Sequence, residues 1–109
     1  MNDIKFAIAG TAAEEAARSL FEIDGLQGDY AQDSEVTRDG GLTVIATVVG
    51  LVGGTMAIAE QIRKWYEDYK SRQGVKKIEK VLIVTPNGRL LLENATIEEI
   101  AKVLAPLAK

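Results

Sequence analysis

The sequence predicts an α+β fold in a single domain, residues 1–109, with a small four-stranded sheet and the element order β-α-β-α-β-β-α. Three features lead to this prediction. Short alternating or continuous apolar runs near both ends of the chain are typical of strands. Segments with apolar residues at i, i+3 and i+4 are typical of amphipathic helices. Between them lies an uncharged apolar stretch that predicts one long central helix.

The first part of the chain predicts a strand followed by a helix. Apolar residues alternate over residues 4–8, as in a strand with one buried face, and Gly10 ends the pattern. Thr11 and Glu14 have the spacing of a capping box, in which each side chain accepts a hydrogen bond from a free backbone N–H. Alanine and leucine then recur with helical spacing, which predicts a helix over residues 12–23.

A weaker pattern follows that helix. Residues 30–38 alternate only loosely between apolar and polar side chains, which predicts a second strand at an edge of the sheet. The glycine pair Gly40 and Gly41 then predicts a flexible joint that leads into the apolar stretch.

The apolar stretch, residues 42–59, reads LTVIATVVGLVGGTMAIA and has only threonine as a polar side chain. As a helix it would be about 27 Å long at ~1.5 Å per residue and apolar on every side. The helical pattern continues to residue 72, with Arg63 and Glu67 spaced as an i,i+4 ion pair, and Gly74 is expected to end it.

The last part of the chain predicts a hairpin and a closing helix. Residues 80–84 and 89–93 are apolar strand patterns, and the Thr-Pro-Asn-Gly sequence of residues 85–88 is typical of the turn between them. Thr96 and Glu99 form a second capping-box pattern, and the apolar stripe of the last helix follows them.

Three interpretations of residues 42–59 remain open. A membrane span is favoured by composition and by the GxxxG spacing of Gly50 and Gly54, with basic and aromatic residues 63–66 as an interfacial belt. A span would, however, separate the predicted strands on two sides of a bilayer. A helix buried inside the monomer would need more cover than one small sheet provides. The third interpretation places one helix face on the sheet and the other against another protein.

The third interpretation is the one we adopt, because small residues in the stretch allow close helix approach and large apolar ones supply buried area. It predicts that Val48→Lys or Gly54→Leu abolishes assembly while the hairpin stays folded. The residues expected at the protein interface are Val44, Ile45, Val48, Val49, Gly50, Leu51, Val52, Gly53, Gly54, Ala57, Trp65 and Tyr66.

Composition narrows the classes of function. The chain has no cysteine and no histidine, which removes disulfides, thiolate nucleophiles and Cys/His zinc sites. Net charge is −3 and the pI is near 5.0, which argues against nonspecific binding to nucleic acid. We expect no catalytic residues, no metal and no cofactor, hence not an enzyme. Acids dominate residues 1–38 and bases dominate residues 60–109.

Four segments together resemble a known bacterial family. They are the acidic helix AAEEAARSLFEID, the segment WYEDYKSR, the hairpin VLIVTPNGRLLLEN and the closing helix TIEEIAKVL. In their order and pattern they resemble the effector-associated constant component, type 1, of bacterial conflict systems. The resemblance covers nearly the whole chain.

That resemblance implies a non-catalytic cytoplasmic module that couples an effector, such as a peptidase-like or other toxic domain, to its regulator. The partners it implies are the effector or a signalling NTPase, and we also expect a homo-oligomer. The contact would be made through the apolar helix 42–59. The alternative is a single-span membrane-anchored or pore-forming component that uses the same helix.

Overall fold

The structure is a computed structural model that describes residues 4–32, 42–71, 78–86 and 88–107. Within these ranges the chain forms five strands and three α-helices, together with two short 3₁₀ turns over Leu92–Asn94 and Ala105–Leu107. The elements in chain order are β1 (Ile4–Gly10), α1 (Ala13–Leu20), β2 (Leu26–Gln32), β3 (Leu42–Leu51), α2 (Thr55–Lys70), β4 (Ile78–Thr85), β5 (Gly88–Leu91) and α3 (Ile97–Leu104).

The five strands form one sheet in the order β2-β3-β1-β4-β5, and every neighbouring pair is antiparallel. Helix α1 connects β1 and β2, which lie on either side of β3. Helix α2 connects β3 and β4, which lie on either side of β1. The first six elements therefore have the β-α-β-β-α-β order of the ferredoxin-like, split βαβ arrangement. Strand β5 and helix α3 extend it at one edge.

One face of the sheet carries the hydrophobic core. Along β1 the side chains of Ile4, Phe6 and Ile8 are buried, whereas those between them are not. The three helices lie together on this face: α2 contacts both α1 and α3, and the indole Nε1–H of Trp65 donates to the Ala16 carbonyl oxygen at 2.9 Å. We call this side of the sheet the covered face and the opposite side the open face.

The prediction of a central helix over residues 42–59 was wrong. Residues 42–51 form strand β3, a short connection follows, and α2 begins at Thr55. A helix of this composition would have left apolar side chains exposed to water, whereas a strand in this position is packed by its neighbours. Both edges of β3 are hydrogen-bonded, to β1 and β2, and the helices cover one of its faces. Since this strand was read as a helix, the predicted four-stranded sheet becomes five-stranded.

Physical signals for the strand were present in the sequence. Six of the first eight residues of β3 are β-branched, a composition that favours strands because such side chains pack well on a pleated surface. Gly53, at φ +116°, then adopts a backbone conformation that few other residues tolerate, and the chain turns there into α2.

Other local predictions have mixed outcomes. The hairpin is confirmed, as strands β4 and β5, and so is the capping box of α3: the Glu99 N–H donates to Thr96 Oγ1, and the Thr96 N–H donates to Glu99 Oε1. The capping box predicted at Thr11 is wrong, because Ala12 occupies the N-cap of α1 without a side-chain hydrogen bond. The second strand begins at Leu26, earlier than predicted.

The remaining predictions in the middle of the chain fall partly beyond what the structure covers. Residues 33–41, which include most of the predicted second strand and the glycine joint, lie outside the described residues. Gly74, the expected end of the long helix, also lies outside them. The i,i+4 ion pair is confirmed: Arg63 Nε lies 3.1 Å from Glu67 Oε1.

Candidate functional site

Half of the predicted interface residues lie inside the monomer. Val44, Val48 and Leu51 have no exposed area, and Trp65 and Tyr66 are 6% and 4% exposed. These side chains belong to the core between the covered face and the helices. Gly50 is also buried. They were placed at an interface because the helix interpretation gave them no internal cover, and the sheet supplies that cover.

The other predicted residues lie at the surface, and several of them gather at one end of the sheet. Val49 and Val52 are 54% and 51% exposed, and Met56, which the sequence interpretation missed, is 48% exposed. These three are the large hydrophobic residues that are exposed in the part of the chain that the structure describes. Together with exposed Ala57 we call them the apolar tip. Gly53 and Gly54 are exposed beside it, whereas Ile45 is half-buried on the open face.

Backbone hydrogen bonds hold the segment that carries the apolar tip. The Val52 N–H donates to the Gly25 carbonyl oxygen at 2.8 Å, which joins the end of β3 to the start of β2. Gly25 has φ +98°, and a Cβ there would collide with the Val52 carbonyl oxygen. The Ile58 N–H donates to the Gly54 carbonyl oxygen at 3.1 Å, at the start of α2. The exposed valine and methionine are therefore presented on an ordered backbone.

A shallow depression of about 440 Å³ lies beside the apolar tip. Val52, Gly53 and Ala57 form part of its wall, and Asp24 and Gln61 bring polar groups to it. A surface with exposed apolar side chains and a polar border is typical of a protein-interaction site.

The open face is the second surface with apolar character. The strand registers place Ala31, Ile45, Ala7, Leu82 and Leu91 in one row across all five strands. Ala31 is exposed, and the other four are half-buried between their neighbours on the sheet. All three helices lie on the covered face, so none of them lies over this row.

The rows on either side of the apolar row carry charges. On one side, Lys80 of β4 lies beside Ala9 and is exposed. We call the row on the other side the charged row. It contains Asp29 on β2, Lys5 on β1 and Arg89 on β5, with Thr47 and Val84 on the strands between them. The acid is thus at one edge of the sheet and a base is at the other. Adjacent strands are ~4.8 Å apart, so the Cα atoms of Asp29 and Arg89 are separated by roughly 19 Å, beyond the reach of an ion pair.

Among residues 4–32, 42–71, 78–86 and 88–107, no group of three or more acidic side chains is placed to hold a metal ion, and no polar residue is buried. Burial raises the pKa of the Tyr66 hydroxyl, Glu93 raises it further, and Arg63 opposes both. The Arg63 guanidinium lies 6.0 Å from the centre of the Tyr66 ring.

No protein-family model matches the sequence, and neither a curated protein nor a solved structure does.

The alternative of a membrane span over residues 42–59 is contradicted, because these residues form a strand, a short connection and the start of a helix. None of the helices within the described ranges is long and apolar enough to cross a bilayer. The single-span alternative depended on a helix that the structure does not contain.

Proposed function

We propose that this chain is a non-catalytic interaction module that docks a protein partner through the apolar tip. In the wider setting implied by the family resemblance, it couples a peptidase-like or other toxic effector to its regulator in a bacterial conflict system in the cytoplasm. The partner is then the effector or a signalling NTPase.

The observation that carries the proposal is the position of Val49, Val52 and Met56. These large side chains are about half exposed around the end of β3 and the start of α2. Exposed apolar surface is costly in water, at roughly 25 cal/mol per Å². The chain holds them there on an ordered backbone, with the Val52 N–H bonded to the Gly25 carbonyl oxygen. A binding surface accounts for both facts.

Polar groups at the border of the docking surface can fix the orientation of a bound partner. Asp24 and Gln61 lie beside the apolar wall of the depression. A partner can place an apolar side chain over Val52 and form hydrogen bonds with Asp24 and Gln61 through neighbouring polar groups. An apolar centre with a polar rim is the usual anatomy of a specific interface. Truncation of a central apolar anchor in such an interface costs ~2 kcal/mol or more.

The experiment is co-expression of this chain with each protein encoded beside its gene, followed by size-exclusion chromatography of the tagged complex. We expect one of them, a peptidase-like effector or an NTPase, to co-elute with the wild-type chain. The double variant Val52→Asp/Met56→Asp is expected to weaken that complex at least thirtyfold, because ~2 kcal/mol corresponds to such a factor.

Two controls keep the result specific. Glu67→Gln changes an exposed residue away from the tip and is expected to leave binding unchanged. Circular dichroism must show that the double variant is folded. Equal binding by the wild type and the folded double variant would refute docking through the apolar tip. Failure of every neighbouring gene product to co-elute would refute the adaptor role.

A further inference from the structure

We propose that two copies of this chain pack open face against open face, about a two-fold axis parallel to β1, so that Asp29 of each copy pairs with Arg89 of the other. This inference goes beyond docking through the apolar tip. It assigns the oligomer expected from the sequence to the open face, which the apolar tip meets at Val49. It can hold or fail independently of an effector complex made through Val52 and Met56.

The distribution of charge on the open face is the first reason to expect a second copy of this chain there. In the sheet order β2-β3-β1-β4-β5, Asp29 is on one edge strand and Arg89 is on the other, in the same cross-strand row. A two-fold axis along the central strand maps the left edge of one sheet onto the right edge of the other. Each Asp29 then faces Arg89 of the second copy, and the pair forms twice. An isologous contact of this kind is self-complementary by symmetry.

The apolar row fits the same operation. Ala7 lies at the axis, flanked by Ile45 on one side and Leu82 on the other. The two-fold axis places Ile45 of one copy over Leu82 of the second copy, so that large side chains meet beside the small central ones. Stacked sheets pack ~10 Å apart with interdigitated side chains, and a row of large and small residues suits that spacing.

The available area suits a reversible dimer. Two rows cross all five strands, and a third crosses β3, β1 and β4. At ~4.8 Å between strands and ~6.8 Å between rows, these positions give on the order of 400 Å² in plan, and the corrugated side-chain surface is larger. Standard stable interfaces bury ~800 Å² per partner. We therefore expect a dimer at the small end of specific interfaces, which dissociates on dilution.

Two lysines oppose the arrangement, and one of them gives a further test. Lys80 lies on the open face beside Ala9, where the axis places it over Thr43 of the second copy. The same axis brings Lys5 of the two copies to the same level near the centre. A lysine stem can run along the apolar surface and carry its ammonium group to the solvent beyond the end of the sheet. Removal of the Lys5 charge is therefore expected to tighten the dimer, whereas removal of Arg89 is expected to loosen it.

The experiment is sedimentation equilibrium of the purified chain over a concentration series, with charge-swap variants. The wild type is expected to show a monomer–dimer equilibrium. Asp29→Arg places arginine against arginine twice, and Arg89→Asp places acid against acid twice. Each is expected to raise the dissociation constant at least tenfold, and Lys5→Gln to lower it.

The decisive measurement is the equimolar mixture of the two single variants. In a heterodimer of Asp29→Arg with Arg89→Asp both contacts again join opposite charges, so that we expect wild-type affinity to return. A local effect on folding cannot be rescued in this way. Asp29 Oδ1 also accepts a hydrogen bond from the Tyr30 N–H at 2.9 Å, so the melting temperature of each variant is measured in parallel.

If Asp29→Arg fails to fold, Leu82→Glu provides an independent probe, because it buries a charge twice in the proposed interface while its side chain is half-buried in the monomer. A wild-type chain that stays monomeric up to millimolar concentration would overturn the proposal. So would folded single variants or a Leu82→Glu variant that dimerise like the wild type, or a mixture that does not recover affinity. None of these results bears on binding of an effector through Val52 and Met56.

Discussion

The two faces of strand β3 are close in composition and opposite in environment. Val44, Ala46 and Val48 have no exposed area beneath the helices, whereas Ile45 and Thr47 are half-buried and Val49 is more than half exposed on the other side. Apolar composition therefore does not show which face of a strand forms the core. The helices select one face, and the other remains available for interaction. Adjacent residues of β3 test this distinction directly, and three further predictions extend it to other buried or close-packed groups.

The largest expected effect comes from adjacent residues on opposite faces. The helix interpretation predicted that Val48→Lys leaves the hairpin folded, but Val48 is buried in the core. The variant places an ammonium group there without a partner, and we expect it to cost ~3–5 kcal/mol, enough to unfold much of the protein. Val49→Lys reaches solvent and is expected to cost less than ~0.5 kcal/mol. Urea denaturation monitored by circular dichroism measures both. Equal stability of the two variants would mean that the faces of β3 are assigned wrongly.

The second comparison uses glycines that flank the apolar tip. Gly25→Ala combines φ +98° with a collision against the Val52 carbonyl oxygen, and it is expected to cost more than ~2 kcal/mol. Gly54→Ala meets only the Ala57 Cβ, at 3.8 Å, and is expected to change stability by less than ~0.5 kcal/mol. Thermal unfolding separates them. Tolerance of alanine at Gly25 would contradict the close joint between β2 and the end of β3.

The third comparison separates the two functions of one arginine. Arg63 Nη1 donates to the carbonyl oxygens of Leu92 and Ala95 at 2.9 and 3.1 Å, whereas its Nε binds the exposed Glu67 carboxylate. Arg63→Met leaves two partly buried acceptors without that donor and is expected to cost ~1–3 kcal/mol. Glu67→Gln removes only an exposed ion pair and is expected to cost ~0.5 kcal/mol or less. Chemical denaturation measures the free energy of unfolding of both variants. Similar decreases in the two would show that the contacts of Arg63 with the carbonyl oxygens contribute nothing to stability.

The smallest effect concerns Tyr66 and alkaline pH. Burial raises the pKa of its hydroxyl above the ordinary value of 10.0, so the unfolded chain loses this proton at a lower pH than the folded chain. The stability associated with Tyr66 is therefore complete below pH 10 and decreases as the pH rises through the folded-state pKa. Tyr66→Phe is expected to flatten the decrease relative to wild type in urea titrations above pH 10. An identical slope in both proteins would contradict the raised pKa.

Much of the fold could be predicted from local chemistry. The Thr96–Glu99 pair marks the start of α3 because its hydrogen bonds form within one turn, and the hairpin of β4 and β5 follows from a turn sequence between two apolar runs. Predictions of this kind succeed because the partners are neighbours in the sequence.

Strand β3 could not be assigned in the same way. A continuous apolar run fits both a buried helix and a strand that is covered on several sides, and periodicity alone does not separate them. Its partners β1 and β2 are distant in sequence, and the β-branched residues were the remaining local signal. Met56 was missed as a surface residue for the same reason, since a helix that is apolar on all sides gives no exposed face to identify.

The central position of β1 has a consequence for biosynthesis. Its two neighbours are β3 and β4, and Val84, the residue of β4 that pairs with Lys5, lies 79 positions later in the chain. A nascent polypeptide leaving the ribosome therefore carries β1 with at least one unsatisfied edge until most of the sequence has been translated. At ~5–20 residues per second this interval lasts several seconds, during which a chaperone or an aggregating neighbour can bind that edge. The time at which β3 and β4 pair with β1 therefore determines when its edges are no longer available for misassembly.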